Sequence, residues 1–173
     1  MREMFATRET LMRRRQRRGH AAGALACAAV LGAAFGLEHL AGMPPCPLCV
    51  VQRLVFAVMG LAFLAAFLHG ATGWGRFVHG GLIGLIAAAG TAVAGRHLWL
   101  QSLPPEEVPA CGPGLDYMLD AFPLAEAVQM VLAGSGECAE VHGLLGVPLP
   151  AWTLVGYLLL GAWALLIMRR PAP

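Results

Sequence analysis

Polar and charged residues gather at a few points along the chain and leave four long apolar stretches between them, at residues 21–37, 54–68, 77–95 and 151–168. Each approaches the roughly 20 residues that an α-helix needs to cross about 30 Å of hydrocarbon. The pattern predicts an all-α membrane protein, a four-transmembrane-helix bundle forming one integral domain over 1–173, with spans at 20–41, 50–68, 77–99 and 151–168. The basic run at 13–18 resembles the charged start of a signal peptide. No convincing cleavage site follows it and a second apolar stretch comes soon after, so the first span reads as a retained signal anchor. In the long segment 100–150, Leu124, Ala127, Val128, Val131 and Leu132 recur with helical period. They predict a short helix lying on the membrane surface, although a helix packed on protein satisfies the same stripe.

Composition agrees with the pattern. Hydrophobic residues make up 58% of the 173, and charged residues only 13%, against roughly 25% in soluble domains. A soluble globule and a disordered chain are both excluded. The net charge of +2 argues against a nucleic-acid partner. The cations are all arginines, and their placement gives orientation. Arg76 lies in the link 69–76, Arg169 and Arg170 follow the fourth span, and the N-terminal tail 1–19 is the most basic part of the chain. By the positive-inside rule these parts are cytoplasmic, and the loops 42–49 and 100–150 face outward. From His97 to Met168 there is no Arg or Lys at all. Arg53 and Arg96 are the exceptions, each at the outer end of a span.

The outward loops hold Cys46, Cys49, Cys111 and Cys138, whereas Cys27 lies mid-span and reads as a small core residue. An outward compartment permits disulfides. Structural bridging is a reasonable account of Cys111 and Cys138, since a crosslink stabilises a long loop. It serves poorly for Cys46 and Cys49, because a C-x-x-C closes too short a loop to stabilise much and usually marks redox or metal chemistry. A four-cysteine zinc site would want a second C-x-x-C, and the later two cysteines are far apart in sequence, so no metal is expected. Arg53 stands four positions after Cys49, on the same helical face. There it can support a thiolate, as can the positive end of the helix macrodipole. Glu38 and His39 at the outer end of the first span fit an electron-acceptor or proton site and, at least as well, interfacial solvation, and the glycines of the later spans read as sites of close helix packing.

The string Pro45-Cys46-Pro47-Leu48-Cys49-Val50-Val51-Gln52-Arg53, followed by Cys111 and by Gly134-Ser135-Gly136-Glu137-Cys138-Ala139-Glu140, resembles the bacterial disulfide bond formation protein B (DsbB) family over nearly the whole chain. The resemblance implies a disulfide-generating, quinone-dependent protein-thiol oxidoreductase of the bacterial inner membrane. A membrane quinone, ubiquinone or else menaquinone, oxidises the pair Cys46 and Cys49. That pair oxidises Cys111 and Cys138, which in turn reoxidise a periplasmic DsbA-like thioredoxin-fold oxidase through Cys111. The resemblance further implies that Cys49 faces the quinone ring, that Arg53 belongs to the quinone site, and that His97 lies near it. One departure is visible: where the family carries a Trp after the Cys-Ala-Glu string, this chain has Val141-His142-Gly143-Leu144. Two other classes remain open, a thiol/quinone oxidoreductase similar to the vitamin K epoxide reductases and a non-catalytic four-span protein stapled by disulfides.

Overall fold

The computed structural model describes residues 2–70, 73–112, 114–141 and 143–169; Pro113, His142 and Arg170 therefore lie outside the described residues. The chain opens with three long helices, α1 (Arg2–Ala41), α2 (Pro47–His69) and α3 (Trp74–Gln101). Three short ones follow, α4 (Leu115–Ala121), α5 (Leu124–Ala133) and α6 (Gly136–Ala139). A two-residue hairpin, β1 (Gly143–Leu144) and β2 (Val147–Pro148), leads into α7 (Leu149–Arg169). Four helices are long and apolar enough to cross a membrane, Arg13–Ala41 within α1, then α2, α3 and α7. The shortest has 21 residues, enough for about 30 Å at 1.5 Å per residue. The protein is an all-α, four-helix, multi-pass membrane protein.

The helices overrun the expected spans for local reasons. The basic segment ahead of the first span is helical back to Arg2, consistent with its content of strong helix formers and the lack of Gly or Pro before Gly19. Pro47 starts α2 three residues early, because proline at the first helical position loses no hydrogen bond and has its φ preset. This places Cys49 on the helix instead of in the loop. Gly70 ends α2 in the left-handed conformation, φ 55°, with its N–H donated to Phe67 O. The segment between α3 and α7 is richer than one surface helix. In its hairpin Leu144 pairs with Val147, leaving Leu145 (φ 56°) and Gly146 (φ 78°) as a two-residue turn. Positive φ at both central residues is the geometry whose twist suits a tight hairpin.

The long helices close into a ring, α1 on α2, α2 on α3, α3 on α7, with α7 touching α1. Its core contains Cys27, Phe56, Met59, Phe63, Ile83 and Tyr157. Large apolar side chains such as Leu25, Leu61, Leu85 and Leu159 point outward, as they do when lipid is the solvent. Close approach depends on glycine where expected. A Cβ at Gly90 would stand 2.5 Å from the Tyr157 ring, and one at Gly161 2.9 Å from Ala87 Cβ. At Gly84 the nearest atom is 3.8 Å away, an ordinary contact.

The outer loop packs as a cap. Ala127 and Val131 of α5 are buried with Met118 and against Val51 of α2, while Leu124, Val128 and Leu132 of the same predicted stripe stay exposed. The stripe thus divides between protein and an outward apolar edge. Arg96 bonds within the protein: its Nη2 donates to Ala133 O at 2.8 Å and its guanidinium stacks 4.2 Å from the Trp99 ring centroid. It therefore ties the end of α5 to α3.

Candidate active site

Cys46 caps the N-terminus of α2. Its backbone is extended (φ −69°, ψ 163°) and its sulfur accepts the Cys49 N–H, at 3.3 Å. The role is one that small side-chain acceptors usually take. The C-x-x-C spacing and the helical turn then bring Cys49 Sγ to 2.9 Å from Cys46 Sγ. From α3, His97 Nε2 faces Cys46 Sγ at 3.8 Å. His97 is 2% exposed, so the residue placed least firmly by the sequence stands in the centre of the site. The ligand atoms of Cys46, Cys49 and His97 lie within 4.8 Å of one another, a group that includes neither Cys111 nor Cys138. A four-cysteine metal cage is accordingly not assembled.

The later cysteines divide. Cys138, on α6, is fully buried against Leu48, Leu100 and Cys46, whereas Cys111 is exposed. A hydrogen bond from Cys46 pulls the Cys138 thiol down to about 6, against burial and with help from the Ser135 and Leu48 backbone. The same contact, with that to Cys49, pushes the Cys46 thiol up. The lowered thiol is the buried Cys138, where a nucleophile is useful. Cys111 stays close to α6 through backbone, since Gly136 N–H donates to Ala110 O at 3.3 Å. The prolines before it do not keep the chain fully extended. Pro104 and Glu107 close a turn by a 2.9 Å hydrogen bond, and residues 109–112 carry no helix, strand or turn.

A cavity of about 670 Å³ opens beside the dithiol, lined by Leu31, Leu37 and Phe56 on its apolar side and by Cys49, Arg53 and His97 on its polar side. Arg53 borders it but is not free. One guanidinium nitrogen pairs with Glu38, another donates to Ala34 O at 3.0 Å, and the group lies 5.0 Å from the Phe35 ring centroid. Glu38 is therefore a counter-ion and not merely a solvated acid. The signal was present: an acid near the end of an apolar span calls for a partner, and Arg53 was the available cation. Gln52, Thr153 and Tyr157 also come together here, and sequence reasoning did not single them out. Trp152 meets the missing-tryptophan concern from another direction, its indole N–H donating to Leu144 O at 3.4 Å and holding the hairpin to α7.

A family model described as "Disulfide bond formation protein DsbB" matches residues 16–167. The chain belongs to the DsbB family. Among its relatives, the disulfide bond formation protein B of Chromohalobacter salexigens is 48% identical over 161 residues, covering 89% of this chain and 94% of that one. The protein of the same name from Marinobacter nauticus is 52% identical over 147 residues, 84% of this chain and 88% of that one. That of Hahella chejuensis is 49% identical over 149 residues, 85% and 90% of the two chains. No solved structure matches the chain. Membership in the DsbB family supports a disulfide oxidoreductase role, and the dithiol at the start of α2 is the place where such chemistry fits.

Proposed function

We propose that this protein generates disulfides by passing electrons from a periplasmic DsbA-like thioredoxin-fold oxidase, through Cys111 and Cys138 and then Cys46 and Cys49, to a membrane quinone, ubiquinone in the first instance. The observation that carries the reading is the position of Cys46. Its sulfur is 2.9 Å from Cys49 and in hydrogen-bond contact with Cys138, so one sulfur can exchange partners within one buried cluster. The steps balance as thiol exchanges. A partner thiolate attacks Cys111 of a Cys111–Cys138 disulfide and Cys138 leaves as thiolate. The second partner thiolate then displaces Cys111, and the partner is oxidised. Cys138 next attacks Cys46 of a Cys46–Cys49 disulfide, Cys49 leaves, and Cys111 attacks Cys138 to release Cys46. The net result is a restored outer disulfide and a reduced inner dithiol.

The residues around the cavity suit a quinone: apolar walls for the ring and chain, Arg53 N–H groups for a carbonyl oxygen, and Cys49 at the same wall. A bound quinone would accept the two electrons and two protons of the inner dithiol. In this reading Cys49 supplies the thiolate facing the ring, Arg53 orients the carbonyl, and His97 serves the Cys46 sulfur. The cysteine loops are periplasmic, both termini are cytoplasmic, and the membrane is the bacterial inner membrane.

The test is a reconstituted turnover. With detergent-purified protein, ubiquinone and a reduced thioredoxin-fold partner, quinone absorbance is expected to fall as the partner is oxidised. Intact cysteine bridges with no turnover would instead support a stapled, non-catalytic protein. A second marker separates the roles within the first pair. Reduced protein with quinone is expected to show a visible thiolate–quinone absorbance that Cys49→Ser abolishes; its loss in Cys46→Ser alone would reverse the two assignments.

A further inference from the structure

Gln52 of α2 is 3% exposed and bonds to two further helices at once. Its side-chain Nε2 lies 3.0 Å from His97 Nδ1 on α3. Its Oε1 accepts the Thr153 hydroxyl from α7 at 2.7 Å. Its backbone carbonyl, on α2, accepts the Tyr157 hydroxyl at 2.7 Å. The chain of bonds runs from α7 through α2 to the buried ring of His97, whose other nitrogen faces Cys46 Sγ. Buried polar groups are retained at a cost unless each is satisfied; here both polar atoms of the Gln52 side chain have a partner, and one of the two, His97, faces the redox cysteine.

Donor capacity gives the network a direction. With Oε1 occupied by the Thr153 proton, the amide nitrogen faces the imidazole, and an amide nitrogen only donates. His97 Nδ1 must then accept, and the single proton of the neutral ring sits on Nε2. That N–H faces Cys46 Sγ at 3.8 Å, with the Cys138 backbone as a second acceptor beside the ring.

We propose that Gln52, held by Thr153, is a positioning residue that keeps His97 in its Nε2–H tautomer, so that the ring donates a hydrogen bond to the Cys46 sulfur when that sulfur is released as a thiolate. The tautomer follows from Thr153 giving its one proton to Gln52 Oε1 and not to its other acceptor, Pro150 O; its use in catalysis rests on the exchange sequence proposed above. In that sequence Cys46 is released when Cys111 attacks Cys138 of the Cys46–Cys138 bridge. The proton stays on His97 throughout, and no further reactant is needed.

The experiment is long-range proton–nitrogen NMR of the full-length protein in detergent, with nitrogen-labelled histidine and the His97 signals identified by their loss in His97→Asn. At neutral pH the unmodified protein is expected to show a protonated Nε2 and a bare Nδ1. Gln52→Leu should mix the tautomers and slow transfer between the two cysteine pairs by about tenfold, the size of one ordinary hydrogen bond, with the KM for the soluble partner unchanged. Should Gln52→Leu fail to fold, Thr153→Val removes only the hydroxyl that orients the amide and should raise the Nδ1–H population. A protonated Nδ1 in the unmodified protein would mean the reverse amide orientation, with Thr153 donating to Pro150 O instead and His97 acting as a base, and would overturn the proposal. So would slower transfer with an unchanged tautomer. An altered tautomer with unchanged transfer would reject the link to Cys46, and a protein with the expected tautomer but no quinone turnover would fault the exchange reading and not the positioning.

Discussion

Cys46 and Cys49 share the first turn of a helix that is locked into the bundle. Cys111 and Cys138 are divided between an irregular exposed stretch and a four-residue helix. Around the inner pair, Leu48 is fully buried and Gln52 and His97 nearly so. The outer pair is joined by a few backbone contacts, and the closest depends on Gly136, where a Cβ would stand 2.9 Å from Pro109 O and 3.1 Å from Cys111 Sγ. A thiol serving an acceptor confined to lipid gains from a fixed geometry at the bundle edge. A thiol serving a soluble protein needs access, and access is supplied by segments of low local stability. Cys138 belongs to the outer segment by connectivity and to the inner site by burial, the double placement that the proposed relay requires.

The strongest expected consequence follows from that double membership. Replacing Cys138 by Ser should abolish transfer between the pairs. In the protein that keeps Cys138, a partner lacking its own resolving cysteine should attack the Cys111–Cys138 disulfide, release Cys138 as thiolate and accumulate as a covalent complex through Cys111 on a non-reducing gel. A complex whose peptide map places the partner on Cys138 would show that access was assigned to the wrong sulfur.

Arg53→Gln comes next and should touch only the rigid region. Losing a charged donor is worth about 1.5–3 kcal/mol, so the apparent KM for quinone should rise or turnover fall by roughly ten- to a hundredfold, while exchange of Cys111 and Cys138 with the partner stays nearly intact. Equal losses in both half-reactions would show that Arg53 holds the fold and not the acceptor site.

The Cys46–Cys138 contact between the regions gives a smaller, pH-dependent effect. In the fully reduced protein the Cys138 thiol is pulled down to about 6, chiefly by its hydrogen bond from Cys46. The thiolate should therefore persist above that pH and be lost as pH falls through it. Followed by ultraviolet thiolate absorbance, Cys46→Ala should raise the Cys138 midpoint by at least about one unit, or about 1.4 kcal/mol. An unmoved midpoint would place the stabilising contact elsewhere.

The smallest effect belongs to Trp152. Trp152→Phe deletes one indole hydrogen bond to Leu144 O and should loosen the hairpin by about 0.5–1.5 kcal/mol. Faster amide exchange is expected at 143–148 with turnover little changed. Loss of turnover instead would make the hairpin part of the inner site.

Much of the molecule was legible in the chain. Four apolar stretches, each bounded by polar residues, became four long helices because span length and backbone satisfaction in lipid leave few other solutions. The α5 stripe was legible as a helix but not as a divided one, since a periodic pattern does not say which apolar face meets protein. The hairpin was missed because Leu145-Gly146 lacks the Asn-Gly or Asp-Gly signal, and Leu145 takes its positive φ under tertiary constraint.

The sequence by itself determined the four long helices, their order, and the chemical identity of four sulfurs and one arginine. Each of these depends on composition or on spacings of a few residues, which the 3.6-residue period converts directly into geometry. Only the tertiary structure decided who meets whom: Arg53 with Glu38 across 15 positions, Gln52 with His97 across 45, and Gln52 with Thr153 across 101. Such pairings arise when separate helices pack and buried polar groups must find partners or forfeit their solvation. Nothing local distinguishes the glutamine that orients a histidine from one that is merely buried.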